Sequence, residues 1–287
     1  MLAELLLRLA TPSGRYRPLG FVADSVALWS RATRRRRDWA PHEARSQELV
    51  REALEGLERR RTVIVLGSGL CRDVPLDELA SRFERVILVD AVHLAPVRRR
   101  TRRLANVSFV TMDLTGAGDW LLGGAEERGD PLRPFIEDPD VDLVVSANLL
   151  SQLPLALERF VERVGPTRLP ADLADRSIGW HLADLARFGA RVCLLTDVEC
   201  RDVEASDWGH RHAPTGREPA ILARLDLTRG HLLPPPDATW TWTVAPPGEV
   251  ERNIALIHLV HGYRDLAAAW GRSRSVPPAE PEGAGIR

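Results

Sequence analysis

Short, continuous apolar runs alternate with helix-patterned stretches through the middle of the chain. The runs are rich in Val, Ile and Leu, which is typical of strands buried on both faces of a parallel sheet. They lie at 62–66, 85–89, 107–111, 141–146 and 190–195. Helical spacing predicts helices between them, at 76–83, 155–164 and 171–188 among others. Strands and helices that alternate at this spacing form βαβ units, so the pattern predicts an α/β fold.

The two ends of the chain depart from this alternation. Residues 1–60 show helical spacing and no strand pattern, which predicts a helical cap or lid in front of a sheet domain at 61–271. Residues 239–244 alternate with period 2, and 253–260 is another apolar run, too close to be joined by a crossover helix. We therefore predict a doubly wound, mostly parallel seven-stranded sheet with an antiparallel C-terminal hairpin strand. Proline, glycine and charge predict a disordered tail at 272–287.

Polar or glycine positions follow each of the first four predicted strands. They are Gly67-Ser68-Gly69, Asp90, Asp113 and Asn148. In an open α/β sheet, ligands bind outside the carboxyl ends of the strands. Glycines there allow a sharp turn and close approach of a ligand, and an acid after the second strand can accept hydrogen bonds from ribose hydroxyls. The four positions together predict a nucleoside pocket, although singly each could be a structural turn or a helix cap.

Two features narrow the kind of cofactor. The third position of a dinucleotide-binding G-x-G-x-x-G is Arg72 here, which disfavours a pyrophosphate-containing ligand. All 39 basic residues other than His are arginine, so Schiff-base chemistry, pyridoxal phosphate anchoring and a Walker A lysine are excluded. A nucleoside cofactor without a pyrophosphate fits both observations.

At this point the chain resembles the class I, Rossmann-like S-adenosylmethionine-dependent methyltransferase family, from about Arg61 to Tyr263. Four segments are similar to the family's motifs, and the 239–260 region resembles its closing hairpin. The segments are Val63-Ile-Val-Leu-Gly-Ser-Gly69, Val86-Ile-Leu-Val-Asp90, Phe109-Val-Thr-Met-Asp113 and Asp142-Leu-Val-Val-Ser-Ala-Asn-Leu149. Two positions depart from the family pattern: Val65 stands where an acid is common, and Cys71 where a third glycine is usual.

The resemblance implies S-adenosylmethionine as cofactor, S-adenosylhomocysteine as product and a role for each residue at the strand ends. Gly67, Ser68 and Gly69 would lie against the methionine part. Asp90 with Ala91 would hold the ribose, and Asp113 with Leu114 the adenine. Asn148 would lie near the amino-acid or methyl end. These roles are expectations from the family likeness.

Catalytic residues are harder to predict, because a sulfonium methyl is already activated and alignment of the acceptor can suffice. Gln152 and His181 are the candidate catalytic residues, with His181 as a possible base or a packed side chain. Glu199, His210 and His212 are further candidates for acceptor contact. We predict no bound metal; Asp207 with the two histidines of the 207–212 segment is the one alternative.

Charge and cysteine content limit the partners. The formal net charge is −1, and no N-P-P-Y segment follows the fourth strand, so we expect a small-molecule methyl acceptor rather than nucleic acid or a membrane. The arginine runs at 34–37 and 98–103 leave an RNA methyltransferase as an alternative. Three cysteines without a C-x-x-C pair favour the cytoplasm. A methyltransferase-like scaffold without activity, and an aminopropyl or nicotinamide-dependent enzyme, also stay open, as does the oligomeric state.

Overall fold

The computed structural model describes residues 2–12, 14–165, 170–204 and 220–275. The helices are α1 Leu2–Ala10, α2 Phe21–Arg34, α3 Arg36–Ala53, α4 Leu76–Arg82, α5 Ala95–Thr101, α6 Gly118–Leu121, α7 Arg133–Ile136, α8 Leu153–Val164, α9 Leu173–Ala186 and α10 Leu266–Ser275. Two 3₁₀ turns lie at Gly14–Leu19 and Leu150–Gln152. The strands are β1 Thr62–Leu66, β2 Arg85–Asp90, β3 Val107–Thr111, β4 Val141–Ala147, β5 Arg191–Glu204, β6 Ile221–Asp226, β7 Ala238–Ala245 and β8 Ile254–Tyr263. None of the described helices is long and apolar enough to span a membrane.

The strands form one eight-stranded sheet in the order β3-β2-β1-β4-β5-β8-β7, with β6 paired to β5 outside this path. Strands β1 to β5 are mutually parallel, and β8 runs antiparallel to both β5 and β7. This order confirms the predicted doubly wound, mostly parallel sheet with an antiparallel strand near its end. The chain reverses its winding direction between β1 and β4, which is where an open α/β sheet forms its ligand crevice.

The predicted strand count of seven is wrong by one, because β6 was missed. The sequence predicted that the fifth strand ends at Leu195, whereas β5 continues to Glu204 and its outer half pairs with β6. Every residue of β6 is exposed, so this strand has no buried apolar run that could have marked it.

Helices cover both faces of the sheet, as the buried β1 run requires. On one face, α3 and α4 pack on β1, β2, β4 and β5. On the other, α9 and α10 pack on the same central strands. We call these the α3 face and the α9 face. The carboxyl ends of β1, β2 and β4 meet at the edge between the two layers.

The N-terminal helices do not form a separate layer in front of the sheet. Leu49, Val50 and Ala53 of α3 are buried in the same core as Val63 of β1, so α3 belongs to the α3 face. Helix α2 lies over the carboxyl edge, where Val26 packs with Val92 and Leu94, and Leu7 of α1 packs against the same cluster. The division at residue 60 therefore separates helices that share one core with the sheet.

The C-terminal helix corrects the predicted start of the tail. Helix α10 continues through Arg272 to Ser275, with Ala269 buried in the core. The Arg272 guanidinium donates to Asp237 at 2.7 Å, which holds the last turn of the helix against the sheet. The remaining predicted tail, residues 276–287, lies outside the described residues.

Candidate active site

The turn after β1 has the glycine geometry that its sequence predicts. Gly67 and Gly69 have φ angles of +68° and +45°, a region that favours glycine. The N–H groups of Gly67 and Ser68 both donate to the Val89 carbonyl, at 3.0 and 3.2 Å. A Cβ on Gly67 would lie 2.8 Å from the Leu149 Cβ, so a glycine is needed there on two counts. The β1 turn and the segment after β4 are therefore in direct contact.

Asp90 lies beside this turn at the end of β2, as predicted. Its carboxylate accepts hydrogen bonds from the Gly69 N–H at 2.7 Å and the Val92 N–H at 3.2 Å. Burial raises the pKa of Asp90, and the hydrogen bond from Gly69 opposes that rise. Asp90 and the adjacent Ala91 are both half-buried, so this carboxylate fixes the glycine turn and still faces the edge of the sheet.

Asp113, which was expected to hold the adenine with Leu114, is buried just after β3 and bonds to the loop that follows it. Its carboxylate accepts from the Thr115 N–H and hydroxyl, at 3.0 and 2.8 Å, and from the Gly118 N–H at 2.6 Å. It therefore closes the loop in front of α6. It also lines a cavity of about 380 Å³ with Tyr16 and Met112. Leu114 is buried in the core of the α9 face.

Asn148 is the most constrained of the predicted residues. It is 3% exposed and has φ +49°, a left-handed conformation that is uncommon for residues other than glycine. Its Nδ2 donates to Asp73 Oδ2 at 2.9 Å and lies 3.1 Å from His42 Nε2. Its Oδ1 is buried and has no hydrogen-bond partner among the described residues. A strained residue with an unpaired buried acceptor is typical of a ligand-binding position.

Asp73 was missed by the sequence interpretation. It lies in an irregular segment after the glycine turn, where only its nearness to Gly69 could have drawn attention to it. Its side chain is 32% exposed and hydrogen-bonded to Asn148, so it places a carboxylate next to the candidate site. Ser68 contributes a second buried polar atom without a described partner, its Oγ.

A second polar cluster, which the sequence did not predict, lies in the middle of β5 and β8. His258 Nδ1 is 2.6 Å from Asp197 Oδ2, and Ser151 donates to the other oxygen of that carboxylate. Asp197 is buried, and the His258 side chain is 17% exposed. Burial lowers the pKa of His258, but hydrogen bonds to Asp197 and Cys200 outweigh it and raise the pKa to about 9. His258 is therefore an imidazolium at neutral pH.

Aromatic side chains connect this cluster to Asn148. His42 of α3 stacks on Trp242 with ring centroids 4.2 Å apart, and Trp242 meets Trp39 edge-on at 5.0 Å. The Trp240 indole N–H donates to His42 Nδ1 at 3.1 Å. Burial lowers the pKa of His42, so this ring is neutral. Trp242 is a core residue, 9% exposed, and its indole N–H has no described partner.

The two predicted catalytic residues lie in different places. Gln152 is exposed, and its side-chain amide donates to the Asn148 carbonyl at 2.5 Å, next to the candidate site. His181 lies on the α9 face, 1% exposed, with Nε2 2.9 Å from Ser146 Oγ. Burial and the positive charge of Arg128 lower the pKa of His181 to about 4. His181 is therefore a packed neutral residue and does not face Asn148.

The other residues considered in the sequence have different environments. Glu199 forms ion pairs with Arg201 and Arg224 on β5 and β6. Cys71 is buried, and burial raises the pKa of its thiol to about 12, as suits a small packing residue. His210 and His212, with the predicted alternative metal site, lie outside the described residues.

Comparisons with known proteins give structural neighbours only. No family model matches the chain, and no curated protein matches it. A complex described as DhpI–SAH is 19% identical, with a TM-score of 0.36 over 84% of this chain and 96% of that one. The 1,6-didemethyltoxoflavin-N1-methyltransferase of Burkholderia thailandensis, with bound S-adenosylhomocysteine, is 16% identical, with a TM-score of 0.38 over 84% and 88%. The N-methyltransferase NodS of Bradyrhizobium japonicum is 13% identical, with a TM-score of 0.34 over 76% and 85%. Since these TM-scores lie below 0.5, we argue the function from the residues of this chain.

Proposed function

We propose that this chain is an S-adenosylmethionine-dependent methyltransferase that acts on a small molecule by in-line methyl transfer. The observation that carries the proposal is Asn148. It stands at the switch point of the sheet, strained and buried, with an acceptor oxygen that has no described partner. The Gly67 turn and Asp90 lie beside it, so three elements of a nucleoside pocket meet at one edge.

The residues at this edge fit the cofactor part by part. Gly69 leaves room for the cofactor to approach the backbone of the β1 turn, since a Cβ there would meet no atom closer than 3.7 Å. Asp90 retains lone pairs for the ribose hydroxyls. Asn148 Oδ1 and the Asp73 carboxylate provide acceptors for an ammonium group. Asp73 would thus take the place of the acid that is absent at Val65. The cofactor, when bound, supplies a methyl group on a positively charged sulfur.

What the protein must add is alignment and exclusion of water. Because the methyl group is already activated, an acceptor held in line with it needs little further catalysis. The contacts between the β1 turn and Leu149, and between His42 and Asn148, fix the position of the cofactor-binding residues. Gln152 holds the Asn148 carbonyl and so supports the strained turn.

The arginine runs give little support to the RNA alternative. Arg34 and Arg35 both pair with Glu249, and Arg103 pairs with Asp77. Arginines that are paired within the protein have less charge available for a phosphate backbone. We therefore keep the small-molecule acceptor, in a cytoplasmic setting, as the proposal.

Calorimetric titration tests this proposal directly. We expect micromolar binding of S-adenosylmethionine and S-adenosylhomocysteine, and no binding of NAD. Asp90→Ala should weaken S-adenosylhomocysteine binding by about 10- to 100-fold, because a hydrogen bond to a charged group contributes about 1.5–3 kcal/mol. Asp90→Asn, which keeps one acceptor oxygen for the turn, should lose less. Asp77→Ala, on the exposed Arg103 pair, is the matched control and should bind like the wild type.

Three results would contradict the proposal. They are NAD binding in preference to the sulfur compounds, no binding of either, and wild-type affinity in a folded Asp90→Ala protein. Binding of S-adenosylhomocysteine without methyl transfer to any acceptor would instead favour the scaffold alternative.

A further inference from the structure

The Asp197–His258 cluster owes its geometry to an irregularity in β5. The register between β5 and β8 shifts between Asp197 and Glu199, so Val198 is an extra residue in the strand. Successive side chains in a strand point to opposite faces, and one inserted residue reverses that order. Asp197 and Cys200 are therefore brought to one face, and Cys200 lies directly opposite His258. A bulge that gathers three polar side chains is typical of a functional position.

Two residues join this cluster to the cofactor-binding residues. Ser151, three positions after Asn148, donates to Asp197. His42 lies 3.1 Å from Asn148 Nδ2 and stacks on Trp242, and the Trp242 and His258 ring centroids are 5.7 Å apart. The cluster is thus next to the end of the pocket where Asn148 lies. An acceptor bound there would be on the α3 face of the sheet.

The donors and acceptors of the cluster select one kind of ligand. The Asp197 oxygens are taken by Ser151 and His258, and this carboxylate is only 6% exposed. Asp197 takes the Nδ1–H of His258, so the N–H left for a ligand is the other ring N–H, beside the weakly accepting Cys200 thiol. The Trp242 indole N–H, which is nine-tenths buried and has no described partner, is a second donor. The groups that face His258 are Asp197 and Cys200 from β5, Trp242 from β7 and the neutral His42 from α3. Two N–H donors, one of them charged, favour an anionic acceptor atom.

We propose that His258, held by Asp197, and the Trp242 indole form the methyl-acceptor subsite, and that they bind the acceptor through an anionic oxygen of a phenolate, an enolate or a carboxylate. This inference rests on the proposed function. His258 already carries its proton at neutral pH, so it cannot serve as the base, and the acceptor must arrive ionised. A protonated amine finds no free acceptor on Asp197, because Ser151 and His258 take both oxygens of this carboxylate.

The chemical step balances without a proton transfer. A lone pair of the acceptor oxygen forms the new bond to the methyl carbon while the carbon–sulfur bond breaks. The electron pair of that bond stays on sulfur, which becomes a neutral thioether. The methylated oxygen is uncharged and binds the imidazolium less tightly than the anion did, which favours product release.

Benzoate and benzylamine test the subsite, because they are similar in size and opposite in charge. Each is titrated by saturation-transfer NMR into wild-type protein with saturating S-adenosylhomocysteine. We expect benzoate to bind and benzylamine not to bind. Benzoate affinity should fall as the pH rises through about 9, where His258 loses its proton.

Three variants make the result specific. His258→Asn keeps an N–H donor for Asp197 but removes the charge, and should weaken benzoate binding by about 10- to 100-fold with unchanged S-adenosylhomocysteine affinity. Trp242→Phe removes an N–H that has no described partner, so it should fold normally and weaken benzoate binding by about 2- to 10-fold. His261→Asn, on the same strand but the opposite face, is the control and should change neither affinity.

Several outcomes overturn the subsite. They are binding of benzylamine in place of benzoate, binding of neither probe while S-adenosylhomocysteine binds, and unchanged benzoate affinity in both His258→Asn and Trp242→Phe. Failure of S-adenosylhomocysteine to bind overturns the proposed function instead. Benzoate titrated alone then still shows whether the anion site exists.

Discussion

The two halves of the candidate site are built in different ways. In the cofactor half, at the ends of β1 to β3, Asp90 and Asp113 accept hydrogen bonds from backbone N–H groups of their own loop or of the neighbouring β1 turn. Asp90 holds Gly69, and Asp113 holds Thr115 and Gly118. The acceptor half joins side chains from distant segments, with His42 against Trp242 and Asp197 against His258. The first half can be recognised from local motifs, whereas the second exists only once the sheet has formed.

The pKa values of His181 and His258 show how such long-range partners change the charge of a histidine. His181 and His258 both follow apolar stretches, and burial lowers the pKa of each. His181 has only the Ser146 hydroxyl as a described side-chain partner, and its pKa falls to about 4. His258 meets Asp197 and Cys200, and its pKa rises to about 9. The partner, which no local pattern shows, decides whether a buried histidine is neutral or charged.

The largest expected effect concerns the glycine turn of the cofactor half. Gly67→Ala places a Cβ 2.8 Å from Leu149 in a left-handed conformation, so strain and overpacking should together cost about 3–4 kcal/mol of unfolding free energy. Gly69→Ala is the matched variant. Its φ is +45° and its Cβ would meet no atom closer than 3.7 Å, so it should lose only about 1–2 kcal/mol.

Urea denaturation of both glycine variants measures this difference, and S-adenosylhomocysteine titration shows whether the turn still binds. Equal stability losses would mean that the contact between the β1 turn and the segment after β4 is not tight. The cofactor half would then be no more rigid than the acceptor half.

A smaller effect should appear as an acid dependence of stability. The pKa of His181 is about 4 in the folded protein against about 6.5 in the unfolded chain. The unfolded state therefore binds the extra proton as the pH falls, and the folded state loses about 2 kcal/mol between pH 7 and pH 5 from this residue. His181→Asn should flatten this part of the pH–stability curve. His258→Asn should instead steepen it slightly, because the unfolded His258 gains its proton between pH 7 and pH 5 while the folded one already carries it, so His258 adds stability as the pH falls. A wild-type slope in His181→Asn would show that His181 is not the buried neutral group described here.

The sequence predicted the central strands well because each is a buried apolar run. The predicted bounds of β1 and β3 agree with the structure, and those of β2 and β4 differ by one residue. The outer half of β5 and the exposed β6 were missed, because their residues contribute little to a buried face. The helical spacing of residues 1–60 was recognised, but the packing of α3 on the sheet could not be, since such spacing shows that a helix face is buried and not what covers it.

The candidate site likewise contains residues that could be predicted from the sequence and residues that could not. Gly67, Gly69, Asp90 and Asn148 come together because each follows a parallel strand directly, and such ends share one edge. His258 lies in the middle of an apolar run. Asp197 lies two residues after the predicted end of the fifth strand, at Leu195. Their pairing depends on the antiparallel register and on the Val198 bulge, neither of which is visible in the sequence. His181, the more obvious candidate, occupies a core position.

A crystal structure of the protein with S-adenosylhomocysteine tests most directly whether the two halves form one site. The account predicts the ribose at Asp90, the ammonium group against Asn148 Oδ1 and Asp73, and the sulfur facing the His258 side of the sheet. A ribose bound away from Asp90, or a sulfur facing the Ser146–His181 side, would contradict it.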